Sequence, residues 1–153
     1  MPTGMLLQAS EAEAFIFENR LSPTTFARST QMIVSISRSL PNNFGDTLIA
    51  HMKRKQLTVE QLAERSLISS RQIARYRASH VPKISLSKVV CLCVGLKLHP
   101  LFSFDLVAKA GYTLINTTEH TAYKIILTSM TNRSIHECNL CLQQLGIRPI
   151  GRE

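Results

Sequence analysis

No part of this chain is apolar for long enough to cross a membrane. The longest apolar runs, such as Val89 to Leu96, fall well short of the roughly 20 residues that a spanning helix needs. The N-terminus, MPTGMLLQASEAEAF, lacks the basic region and unbroken apolar stretch of a secretory signal. Cysteine is sparse, four in 153 residues, so no disulfide framework is required and a reducing cytoplasm is the expected setting. Aspartate occurs only at Asp46 and Asp105, both read as helix-start or surface positions. The glycines are scattered and form no phosphate loop, and the histidines (51, 80, 99, 120, 136) show no ligand spacing. Nothing in the sequence therefore points to catalysis, and neither enzyme activity nor a cofactor is expected. Strand signals are few, and there is no internal repeat or low-complexity tract.

What is present is globular: 44% of residues are hydrophobic and 18% charged. The formal charge of +8 is unevenly placed. Residues 51–88 hold nine basic side chains (53, 54, 55, 65, 71, 75, 77, 83, 88) against Glu60 and Glu64, while the other 115 residues are nearly balanced. A focused positive patch attracts polyanions, nucleic acid being the usual one. A solvated basic face is the alternative that charge alone leaves open.

Helical signals recur along the whole chain. Residues 7–20 read as a helix, and a second runs over 23–39, from Pro23 after Ser22 to a stop before Pro41. LPNNFG (40–45) reads as a joint. Beyond it, a helix over about 46–55 turns Leu48, Ile49 and Met52 inward. The next starts at Thr58, with Gln61 at capping-box spacing, and the one after repeats the device with Ser69 and Gln72. A largely apolar helix over about 86–96 is the expected buried centre. A helix over about 100–110 starts on Pro100 and stops at Gly111. Two more follow, over about 118–130 and 135–145, the latter capped by Ser134 with Glu137 and ended by Gly146. The fold class is all-α.

The stretch TVEQLAERSLISSRQIARYRAS (58–79) carries the chemistry. Its two helical patterns are separated by three or four residues, the length of the turn in a DNA-binding helix-turn-helix. Leu57, Leu62, Ile68, Ile73 and Tyr76 are spaced to share a core, and Ala63 is small where two helices should cross. With Ile73 and Tyr76 inward, Ser70, Arg71, Ala74 and Arg75 face outward. Arg71 and Arg75 stand one helical turn apart on one face. Each guanidinium fork can donate two hydrogen bonds to guanine O6 and N7 in the major groove. Ser70 and Gln72 lie near the helix start, where side chains reach base edges. Lys53, Arg54, Lys55, Thr58, Arg77 and Lys83 suit phosphate contacts.

LTVEQLAERSLISSRQIARYRAS resembles the helix-turn-helix of phage-repressor-like, Xre-type regulators. The positions that match their pattern are Leu57, Thr58, Glu60, Leu62, Ala63, Ile68, Ser69, Ile73 and Arg75. The likeness continues through VVCLCVGLKL and LVAKAGYTL, is similar to a bacterial subgroup with a helical tail, and covers about residues 44–150. It implies a repressor-like five-helix domain that binds double-stranded DNA sequence-specifically, usually as a dimer, to regulate transcription. Leu67 stands where the family's turn usually has Gly; a left-handed backbone there would cost on the order of 1 kcal/mol. Val59 replaces a common Gln, and RASH replaces an Asn-Gly stop. The organisation read from the sequence is an N-terminal segment (1–41), the DNA-binding domain (42–113) and a C-terminal helical extension (114–153).

Two further readings stand beside this one. A domain that kept the shape but not tight DNA binding would be a scaffold, holding a protein partner through residues 1–41 or 114–153. HECNLC (136–141) offers Cys138 and Cys141 as C-x-x-C, a redox or zinc signal. Zinc ribbons need a second ligand pair, and Cys91 and Cys93, two apart on a buried helix, diverge. Buried, inert thiols are therefore expected at these positions, with Cys138 and Cys141 sharing a face with Leu142 and Leu145.

Overall fold

Each helix among the described residues starts on a side-chain cap. The computed structural model describes residues 22–80 and 82–151, and among them there are eight α-helices and no strand. They are α1 (Pro23–Ser39), α2 (Phe44–Arg54), α3 (Val59–Ser66), α4 (Ser70–Arg77), α5 (Leu86–Leu96), α6 (Pro100–Lys109), α7 (Thr118–Ser129) and α8 (Ile135–Gln143). The caps are Ser22, Asn43, Thr58, Ser69, Ser85, His99, Thr117 and Ser134, each accepting a hydrogen bond from a first-turn N–H. A cap of this kind is worth about 1 kcal/mol. The helix read over residues 7–20 lies outside the described residues. The chain divides into two units, Met1–Leu40 and Pro41–Glu153.

In the first unit, α1 follows the expected 23–39 helix, with Thr25 N donating to Ser22 Oγ at 3.1 Å. In the second unit, α5 is the hub. It packs against α3, α6, α7 and α8, and all its residues except Ser87 and Lys88 are buried. Fully burying each of its Val and Leu side chains contributes about 1.5–3 kcal/mol. Residues 114–153 supply α7 and α8 to this unit, through Ala122, Tyr123, Ile126 and Leu127 and through Ile135, Cys138 and Leu142.

Three expectations need correction. The boundary between the two units falls within LPNNFG, but α2 begins two residues earlier than expected, at the wholly buried Phe44, because Asn43 Oδ1 accepts from Asp46 N at 2.9 Å. Ile49, expected inward, is only half-buried, whereas Leu48 and Met52 are in the core. On α8 and just past its end, the four residues expected on one buried face divide. Cys138 and Leu142 are buried, while Cys141 and Leu145 face solvent, so the expected burial of Cys141 fails. Ile135, Cys138 and Leu142 span an arc of about 60° around the axis, and Cys141 lies about 60° beyond its edge.

Two glycines allow the close approaches that hold α3 and α4. A side chain at Gly95 would lie 3.0 Å from Ser66 Cβ and 3.1 Å from Leu62 Cδ1, so α3 rests on α5 with little between them. A side chain at Gly45 would strike the Ser79 carbonyl and come within 2.7 Å of Arg77 O. Phe44 N donates to His80 O at 3.1 Å across the same contact. The first turn of α2 is thus docked on the end of α4.

Candidate nucleic-acid interface

The opening of α3 is built from a reciprocal pair. Thr58 Oγ1 accepts from Gln61 N at 3.1 Å, and Thr58 N donates to Gln61 Oε1 at 2.9 Å. The Thr58 hydroxyl proton is left to donate elsewhere. α3 ends at Ser66, whose Oγ donates to Leu62 O at 2.6 Å. The turn to α4 is Leu67, Ile68 and Ser69. Leu67 has φ 55° and ψ 35°, so this leucine holds the left-handed position that favours glycine. Ile68 is 1% exposed and anchors the turn in the core.

Ser69 Oγ accepts from Gln72 N at 3.2 Å to start α4. The expected return bond from the Gln72 side chain is not formed among the described residues, which leaves that half-buried amide without a capping role. Ile73 and Tyr76 are buried, and Ser70, Arg71, Ala74 and Arg75 are all exposed. α4 therefore presents one strip of two small residues and two arginines. Arg75 also lies against the Tyr76 hydroxyl: burial pushes that phenol up, and the adjacent guanidinium opposes the shift. Glu60 and Glu64 form no ion pair with α4 among the described residues.

The flanking cations divide into two sets. Lys53 and Lys83 are exposed, and Arg77 is half-buried. Arg54 turns inward: its guanidinium lies 4.9 Å from the centroid of the Phe102 ring and 3.2 Å from His51 Nδ1. Lys55 Nζ donates to Lys97 O at 3.2 Å, closing the C-terminal end of α5. These two charges are engaged within the protein. His51 is wholly buried beside Phe102, with ring centroids 5.3 Å apart. Burial, aided by Arg54, Lys55 and Lys109, lowers its pKa to about 3, so it is neutral at physiological pH. The segment that follows α4 is held by Tyr112, whose hydroxyl donates to Ile84 O at 2.6 Å.

A cleft of about 580 Å³ lies between α3, α5 and the α7–α8 turn, lined among others by Arg65, Leu67, Lys97 and Arg133, and no α4 residue borders it. Duplex DNA is read by a protruding element that enters a groove, so a cavity is not the feature to look for at α4. Three of the four thiols are buried, and Cys141 is exposed. Burial pushes Cys91 and Cys93 up to about 12 and Cys138 up to about 11, so all three are protonated at neutral pH. No group of three or more metal-ligating side chains is found among the described residues.

Sequence reasoning missed the residues that position α4. Gly45, which admits the end of α4, stands in the stretch that reads as a joint. Asn43 three residues before Asp46 was the available signal, since it marks a helix start. Compared with protein-family models, curated proteins and solved structures, the chain gives no match.

Proposed function

We propose that this chain binds double-stranded DNA sequence-specifically through α3, the 67–69 turn and α4, and acts as a cytoplasmic transcription regulator without a catalytic step. In this reading α2 to α6 form a repressor-like, Xre-type helix-turn-helix domain, and α7 and α8 are its helical extension. The observation that carries it is the exposed strip of Ser70, Arg71, Ala74 and Arg75 on a helix whose other face is buried. Arg71 and Arg75 donate to guanine edges in the major groove, assisted by Ser70 and Gln72. Lys53, Arg77 and Lys83, with the Thr58 hydroxyl, hold phosphates. Arg54 and Lys55, engaged with Phe102 and Lys97, contribute by shaping α2 and the end of α5 instead. No helix among the described residues is long and apolar enough to cross a membrane.

The test is selection of duplexes from a random pool at near-physiological salt, with the wild type beside an Arg71→Ala/Arg75→Ala variant. A motif enriched by the wild type and lost in the variant supports base readout. Equal, weak binding by both sinks it.

A second reading, a protein-interaction module or homodimer face, is favoured by the exposed apolar residues of the extension. Ile125, Leu140 and Leu145 are 54%, 64% and 55% exposed. Retained function in the double arginine variant would support it.

A further inference from the structure

We infer that residues 147–151 form a strap that fixes the turn between α3 and α4, with Asn139 and Gly151 as positioning residues for α4. After α8 the chain reverses at Gly146, where φ is 69°, and Ile147 N donates to Leu142 O at 3.1 Å. The chain then runs back beside α8. The Asn139 side chain meets it with both ends of its amide, accepting from Ile150 N at 2.8 Å and donating to Ile150 O at 3.0 Å. One side chain thus satisfies both backbone groups of one residue, as a neighbouring strand would. Ile150 itself is 1% exposed.

The next residue reaches the turn. Gly151 has φ 87°, and a side chain there would lie 2.9 Å from Leu67 Cβ and 3.4 Å from both Ser66 O and Ile135 Cγ2. The strap backbone therefore sits directly on the left-handed Leu67. A leucine in that conformation is intrinsically disfavoured and persists only where its surroundings over-determine it. Gly151 on one side and buried Ile68 on the other supply that constraint. Two residues after Leu67, Ser69 caps α4, so a change in the Leu67 dihedrals swings the axis of the arginine-bearing helix. Asn139 acts on α4 through the strap and touches none of the proposed DNA-contact residues.

What α4 does rests on the DNA-binding reading, whereas the strap contact is tested without DNA. Denaturant unfolding of Gly151→Ala, Leu67→Gly and the double variant forms a closed cycle. Gly151→Ala is expected to lower the unfolding midpoint in both backgrounds, because alanine is strained at φ 87°, but by clearly less where residue 67 is Gly, the difference reading the contact with Leu67. Additive shifts would overturn the contact. In a second arm, Asn139→Ala and Gly151→Ala are assayed on duplexes selected by the wild type, at a temperature where circular dichroism shows each fully folded. Affinity about tenfold weaker is expected, the equivalent of one or two hydrogen bonds. A purely structural strap would lower the midpoint and leave that affinity unchanged, which overturns the positioning role while the DNA reading stands. If Asn139→Ala does not fold, Gly151→Ala alone decides. If the wild type selects no duplex, the DNA reading fails and the cycle alone decides the strap.

Discussion

The α3–α4 and α7–α8 pairs use the same local parts for different surfaces. Each has a second helix started by a serine, Ser69 or Ser134, that accepts from the backbone three residues on. Each buries apolar residues at helical spacing, Ile73 and Tyr76 on α4 and Ile135, Cys138 and Leu142 on α8. Outward, α4 carries Ser70, Arg71, Ala74 and Arg75, while α8 carries His136, Glu137, Leu140 and Cys141. Its one outward cation-acid contact, Glu137 with Arg133 at 3.3 Å, is an exposed pair of little energetic weight. The inward residues decide that a helix forms and where it rests, and the outward residues decide what it can meet. The comparison predicts that the two outward sets can be altered with little effect on folding.

The largest expected effect is on DNA. Arg71→Ala and Arg75→Ala should each cost about 1–3 kcal/mol of discrimination against the wrong base. Stability should change by no more than about 0.5 kcal/mol, as for other exposed substitutions. Binding isotherms beside denaturant unfolding measure both. Next comes Gly45→Ala, which forces a methyl group onto the Ser79 and Arg77 carbonyls. It should destabilise by about 1–3 kcal/mol, the range for overpacking, and weaken DNA binding although residue 45 faces no DNA in this reading.

A pH effect follows from His51. Its pKa is about 3 folded against an ordinary 6.5, so the unfolded chain binds the proton and the folded one does not. Its contribution is complete above pH 6.5 and is lost as pH falls toward 3, at up to about 1.4 kcal/mol per pH unit. The charged groups that favour the neutral ring are Arg54, Lys55 and Lys109. Denaturation at stepped pH between 7 and 4.5 should show the slope, and His51→Gln should flatten it. The smallest effect is expected from Leu140→Ser on the exposed side of α8. Unfolding free energy should move by less than about 0.5 kcal/mol, and arginine-dependent DNA binding should persist. Loss of binding would give α8 a share in the function and break the contrast between the two pairs.

Much of the helical layout was legible because caps and stops are local. Ser22, Thr58, Ser69, Ser85, Thr117 and Ser134 all cap helices at or beside the expected positions, and α5 matches its expected span. The exposure of the α4 strip was legible for the same reason, since Ile73 and Tyr76 fix the helix's orientation. What escaped depends on partners far away in sequence. Nothing near Arg54 announces that Phe102 will lie under its guanidinium, and nothing near Gly151 announces Leu67. Cys141 and Leu145 escaped because an apolar side chain at helical spacing shows a capacity for burial, while which face is covered is set by helices distant in sequence.

The inward turn of Arg54 and the tie between Lys55 and Lys97 bear on how many counterions such a protein can release. Charge counted along the sequence credits residues 51–88 with nine cations, but with these two engaged internally, seven are left to face phosphates or bases. Each phosphate neutralised contributes about −0.9 to the slope of log affinity against log salt. The steepest slope open to this surface is therefore about −6, reached only if all seven were spent on phosphates. Every arginine that reads a base makes the slope shallower. In the DNA-binding reading, a salt titration thus counts how the patch is divided between holding the duplex and reading it.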